Sequence, residues 1–228
     1  MAKLLNPYET FWQPDHAVTS SSEEATALDL TNHFLIAMPT MQDPVFGGSV
    51  VYLCEHNANG ALGVVINKPT DMTMDVLFDR IELTLEIAPQ HTHAVAYSDS
   101  ISKFGDSMST CPVMFGGPVQ VERGFVLHSP LNTYSSTLKV TDQIAMTTSK
   151  DVLEAVAHGN GPAQILVSLG CSGWEAGQLE EEIARNGWLT VAADPTIIFD
   201  LPIEQRFLAA LKLLGIDPHM LTGESGRA

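Results

Sequence analysis

The chain has 228 residues, 45% of them apolar and 17% charged, which suits one large domain with a sizeable core. Its 27 acidic residues against 11 basic ones give a net charge of −16, and Lys68, Lys103, Arg123, Lys139, Lys150 and Arg185 are dispersed singly, so direct nucleic-acid binding is disfavoured. With no apolar run of membrane-spanning length, no secretory signal pattern, and three scattered cysteines (Cys54, Cys111 and Cys171) in no CxxC, the expectation is a cytoplasmic protein without membrane association, disulfide framework or zinc site.

Residues 1–27 carry two prolines and a polar run without periodicity, and are expected to be a flexible extension before a single domain over 28–220 and a tail over 221–228. Leu30–Met38 and Ser49–Cys54 are apolar runs of strand length, and Asn57-Ala58-Asn59-Gly60 is a turn before a third run, Leu62–Asn67. The last two predict a β-hairpin. Asp71 is placed to cap a helix through Arg80 with Val76, Leu77 and Ile81 facing inward. Ala94–Thr110 reads as a polar loop, Pro112–Phe115 as a strand before the turn Gly116-Gly117-Pro118, Gly124–Ser129 as a strand, and Leu138–Met146 as a strand pair. The phrase Phe-Gly-Gly-x-Val occurs at Phe46–Val50 and again at Phe115–Val119.

Ser149 is expected to cap a helix Lys150–His158 that stops at Gly159-Asn160-Gly161-Pro162. Gln164–Leu169 then reads as a strand, Gly170-Cys171-Ser172-Gly173 as a sharp turn, and Ser172 with Glu175 as a capping box opening a helix near Gly173. Asn186-Gly187 supplies that helix's left-handed stop, and Glu181 and Arg185 form an i,i+4 pair along it. Trp188–Ala192 and Thr196–Phe199 read as strands. Asp200 is placed to cap a last helix with a stripe of Ile203, Phe207, Leu208, Leu211 and Leu214, ended by Gly215. Hairpins at the front and strand–helix alternation at the back predict one mixed-sheet α+β (mixed α/β) domain.

The segment Gly170–Trp174 approaches a nucleophile elbow but has Trp174 where G-x-S-x-G needs glycine, and its glycines fit neither a dinucleotide fingerprint nor a P-loop. Cys171 reads first as a buried small residue in a tight turn; a helix N-terminus behind it would activate the thiol, an effect that Glu175 and Glu180–Glu182 oppose. Trp174 reads as a packing residue or as a stacking wall for a planar ligand. His56, Asn67, Arg123 and His128 sit at the ends of apolar strands, each with a structural reading as a hydrogen-bonding end-cap. Together with Gly116-Gly117, Gln178 and Glu182 they could instead line one pocket, with backbone N–H groups for an anion and histidine as acid or base. His91-x-His93 is the one close histidine pair, without nearby carboxylates, so no metal site is expected.

The residues Asn32–Pro39, Ser49–Asn57, Gly63–Pro69, Gly116–Val119, Arg123–Ser129 and Gly173-Trp174 followed by Gln178-Leu179-Glu180 together resemble the YqgE/AlgH family of bacterial proteins, in order, over about Leu30 to Pro218. Many relatives have Gly-Tyr where this chain has Gly170-Cys171, so a role built on an aromatic there does not transfer. The resemblance implies a branched sheet curled into a pseudo-barrel with flanking helices. It leaves the activity unestablished and any cofactor unknown, and some members carry the label of a transcriptional regulator. The expected function is therefore binding of a small molecule, or an indirect regulatory role with a small-molecule or protein partner, through His56, Asn67, Gly117, Arg123, His128, Trp174 and Gln178. The alternatives are a hydrolase or transferase using His128 as acid/base or Cys171 as nucleophile, and a direct DNA-binding regulator, which the charge disfavours.

Overall fold

Alternation along the first strands places their side chains in two different cores. In β1 (His33–Ala37), Phe34 and Ile36 join one apolar cluster while Leu35 and Ala37 join another. In β2 (Val50–Asn57), Val50, Tyr52 and Cys54 go with the first cluster, and Val51 and Leu53 with the second. Strands covered on both faces have no polar face to show, so they read in sequence as unbroken apolar runs.

The computed structural model describes residues 28–84 and 108–216. The expected extension over 1–27, most of the Ala94–Thr110 loop, the His91-x-His93 pair and the C-terminal tail lie outside the described residues. The remaining strands are β3 (Gly60–Val65), β4 (Pro69–Thr73), β5 (Pro112–Phe115), β6 (Val119–Ser129), β7 (Thr137–Lys139), β8 (Ala145–Thr147), β9 (Gln164–Glu175) and β10 (Trp188–Ala192). They form one curled sheet in the order β10-β1-β2-β3-β9-β6-β8-β7, with β4 and β5 branching off through β5 beside β9. The β2–β3 hairpin forms at Asn57–Gly60, as the turn residues predict. The helices are α1 (Met74–Arg80), α2 (Asp151–Ala157), α3 (Gln178–Ala184), α4 (Pro195–Phe199) and α5 (Ile203–Leu213). Ile197, Ile198, Ala210 and Leu211 of α4 and α5 close the first core, Leu179 of α3 closes the second, and α1 and α2 cover a third built on Val113, Val126 and Val167. The architecture is the curled, branched α+β fold expected. Among the described residues no helix is long and apolar enough to cross a membrane.

The largest departure from the sequence reading is β9. It does not turn at Gly170 into a helix near Gly173, but bends there with φ +73° and runs on to Glu175. Residues 164–169 and, past the bend, Cys171 pair with β6, Ser168 and Leu169 also pair with β5 in parallel, and Ser172–Glu175 pair with β3. The edge of the β2–β3 hairpin thus offers the backbone of 172–175 a ladder, which outweighs the local cap. The Ser172 hydroxyl, instead of capping a helix, donates to the Gly116 carbonyl at 3.1 Å. Helix α3 begins only after Gly177, whose φ of +78° turns the chain out of the strand. It ends at Asn186 in the left-handed region, as expected.

Smaller corrections have similar causes. Asp71 lies in β4 rather than at a cap. Helix α1 starts after Thr73, its inner face is Met74, Leu77 and Phe78, and Val76 faces outward. Ser149 does not cap α2; its hydroxyl donates to Asp151 and accepts from Ser136 N–H. Thr196–Phe199 is helical, because the Asp194 carboxylate accepts from Thr196 N–H at 2.9 Å and Pro195 fits the first turn, so local capping overrides the β-branched composition. Asp200 accepts from Gln164 Nε2 instead of capping α5, and Leu208 leaves the predicted stripe for solvent.

Candidate functional site

Helix α3 carries acidic side chains back to the sheet face that it covers. Trp174 at the end of β9 and Trp188 at the start of β10 are both nearly fully buried, and both indoles donate to one carboxylate oxygen, Glu182 Oε2, at 2.9 and 2.8 Å. The other oxygen, Oε1, accepts from Gln178 Nε2 at 3.0 Å, while Gln178 Oε1 accepts from Glu175 N–H at 2.9 Å. A buried indole N–H needs an acceptor, and an ionised carboxylate serves several donors at once. Phe46 completes the cluster, its ring centroid 5.5 Å from Trp188 and 6.3 Å from Trp174, with the indoles 6.0 Å apart. The Asp43 carboxylate fixes the Phe46 backbone by accepting from Val45 and Phe46 N–H groups.

These groups border a cavity of about 440 Å³, whose wall also includes Met41, Pro118 and Arg185. Its size falls in the range of small-molecule sites, about 300–1,000 Å³, and an aromatic wall with a few fixed polar groups is their usual lining. Arg185 is an exposed cation at the edge, paired with Glu181 at 3.1 Å. Among the described residues no group of three or more His, Cys, Asp or Glu side chains is gathered to hold a metal ion.

Of the seven residues singled out in the sequence, Trp174 and Gln178 line this cavity. His56 lies two strands away, in register through Ala61, on the same sheet face as Trp174. It is buried and fully used. Leu30 N–H donates to its Nδ1 at 3.0 Å, so the proton sits on Nε2, which donates to Glu180 Oε1 at 3.1 Å. Asn67 bridges the chain before β2, accepting from Val50 N–H and donating to the Gly48 carbonyl. Gly117 is a crossing point of backbone, with φ +147°. Arg123 is exposed on β6, donating to Thr148 Oγ1 at 2.8 Å and lying over the Phe125 ring. Among the described residues this cavity brings together Trp174 and Gln178 of the seven, while His56, Asn67 and Arg123 spend their side chains on other partners.

The two candidate catalytic side chains are both enclosed. Cys171 is 2% exposed inside β9, and burial raises its thiol to about 12, the opposite of the activation that a helix N-terminus would have given. His128 is fully buried. Pro130 O lies 3.3 Å from Nδ1, which therefore carries the proton, and Nε2 accepts from the Thr147 hydroxyl at 2.9 Å. Neither reaches a substrate, so the hydrolase or transferase chemistry expected of them has no support in their placement.

Burial holds the folded-state pKa of His128 below its ordinary 6.5. The unfolded chain therefore takes up a proton here before the folded one does. Stability should fall as pH drops below 6.5, and this contribution should level off below the folded-state pKa. The expected result is that urea midpoints decline between about pH 7 and 5 and that the decline is shallower in His128→Gln, whose amide still serves both partners. Equal slopes would place the proton uptake elsewhere.

Residues 34–219 match the AlgH-like family. The chain is 58% identical over 201 residues to a UPF0301 protein of Ralstonia nicotianae, covering 88% of this chain and 96% of that protein. It is 55% identical over 214 residues to a UPF0301 protein of Bordetella petrii, covering 94% and 97%. The solution structure of the AlgH protein from Pseudomonas aeruginosa matches with a TM-score of 0.66 at 42% identity, covering 92% of this chain and 100% of that one. The crystal structure of a Corynebacterium diphtheriae protein matches with a TM-score of 0.60 at 16% identity over 90% and 95% of the chains, a likeness of fold alone.

Proposed function

The chain belongs to the AlgH-like family, and from that premise we propose that it is a cytoplasmic small-molecule-binding protein whose ligand is a flat organic molecule held at the Phe46, Trp174 and Trp188 cluster. The observation that carries this reading is the cavity of about 440 Å³ in which two buried indoles and Gln178 are fixed by the single carboxylate of Glu182. Rings already held by their N–H edges and by one another leave little ordering to do on binding, which is how a preorganised cavity wall gains affinity. Any regulatory effect then follows from ligand occupancy and a protein partner, since a net charge of −16 works against a direct hold on DNA.

A thermal-shift screen of nucleotides, cofactors and central metabolites tests this. A ligand at about 100 times its dissociation constant adds roughly 2.7 kcal/mol, which raises the midpoint by about 5–10 °C for a domain of this size. The shift should be lost in Phe46→Ala, which opens the wall without touching Glu182. A hit that stabilises Phe46→Ala as much as the natural chain would remove this cavity from the reading.

A further inference from the structure

Arg206 on α5 is the one lysine or arginine buried among the described residues, at 7% exposed. Nη1 donates to the Ile66 carbonyl at 2.6 Å and Nε to the Leu201 carbonyl at 3.1 Å. Both partners are uncharged. Among the described residues no carboxylate forms an ion pair with it, and Nη2 has no hydrogen-bond partner. Burial lowers its pKa to about 10, with Cys111 and the Glu204 carboxylate, which forms no ion pair with it, acting in the opposite direction, so the guanidinium stays charged near neutral pH. A largely buried guanidinium with no carboxylate in contact among the described residues has its Nη2 left over, and a carboxylate is the natural complement of the planar fork.

The guanidinium borders a second cavity of about 600 Å³, which shares no wall residue with the one at Trp174. The rest of its lining is largely apolar, with Met74, Met108, Met114, Leu166 and Phe199. Three methionines give a wall that adapts to an apolar chain rather than one fixed shape. Pro202 and Ile203, where α5 begins, also border the cavity, and the first N–H groups of a helix lack intrahelical acceptors. Asp200 stands at the same rim, but its carboxylate is engaged by Gln164 Nε2 at 2.8 Å.

We propose that this cavity is a binding site for a small carboxylate with an unbranched apolar tail, the carboxylate seated on Arg206 Nη2 and the tail lying along Met74, Met108 and Met114. The site does not depend on the Trp174 cavity. Isothermal titration of the full chain with octanoate, 1-octanol and acetate tests it. Octanoate should bind at least about tenfold more tightly than either comparator, because octanol lacks the charge and acetate lacks the tail. Met108→Trp fills the tail side without touching the guanidinium and should weaken octanoate by about tenfold or more while leaving the far-UV dichroism unchanged. Arg206→Met should bring octanoate down to the affinity of octanol; if that variant does not fold, the ligand comparison and Met108→Trp decide the matter. Equal binding of octanol, equal binding of acetate, an unchanged affinity in Met108→Trp, or no octanoate binding at millimolar concentration would each overturn the proposal.

Discussion

Gly117→Ala should destabilise the protein by about 3 kcal/mol or more, lowering the thermal midpoint by about 10 °C. A Cβ at this position would stand 2.3 Å from the Cys171 carbonyl oxygen and 2.5 Å from Ser172 Oγ, and φ is +147°, where an L side chain is strained. The obstructing atoms belong mainly to the β9 backbone, which is held by pairing on both sides and cannot step back cheaply. The neighbouring Gly116 is as tightly placed, with its would-be Cβ 2.1 Å from the Gly170 carbonyl oxygen. The glycine pair therefore lets the β5–β6 connection cross β9 at the bend where that strand changes partners. Gly124→Ala is the control, since nothing lies within 4 Å of its Cβ position and its φ is not positive. It should stay within about 0.5 kcal/mol of the natural chain. Equal urea midpoints for the two variants would refute the crossing.

Glu182→Ala should cost about 2–5 kcal/mol and blue- or red-shift the tryptophan emission, because it strips the acceptor from two buried indole N–H groups at once. Each unsatisfied buried donor costs about 1–3 kcal/mol, and Gln178 loses its partner as well. Glu182→Gln separates charge from hydrogen bonding. Its carbonyl oxygen can still accept from both indoles, but its amide would meet Gln178 Nε2, a donor that cannot be flipped without giving up Glu175 N–H. The expected loss is about 1–2 kcal/mol with native emission. If Glu182→Ala were as stable as the natural chain, the carboxylate would not be the centre of the cluster.

Long-range pairing explains most of what the sequence shows and hides. The β2–β3 hairpin is legible because the Asn-Gly turn is a local signal and both strands are covered, making continuous apolar runs. The continuation of β9 is hidden because Gly170 and Ser172 carry a strong local signature for a turn and a cap. The deciding partner, β3, lies about a hundred residues earlier in the chain. Thr196–Phe199 is misread for the reverse reason, since its β-branched residues suggest a strand while Asp194-Pro195 is a helix start. At the site, Trp174, Gln178 and Glu182 are legible as neighbours on one segment. Phe46 and Trp188 reach them only through the fold, although Phe46 stands in the repeated Phe-Gly-Gly phrase. Arg206 is hidden by its place in an amphipathic helix, where a cation is ordinarily solvated.

The most direct test of the central claim is a proton–nitrogen correlation spectrum of the full chain with and without a ligand found by the thermal screen, with the Trp174 and Trp188 indole N–H resonances assigned by substitution. Both indole resonances should move on ligand addition, saturating with the same dissociation constant as the thermal shift, because the ligand would stack on rings anchored to Glu182. Saturable binding that leaves both indole resonances in place would contradict a ligand site at this cluster.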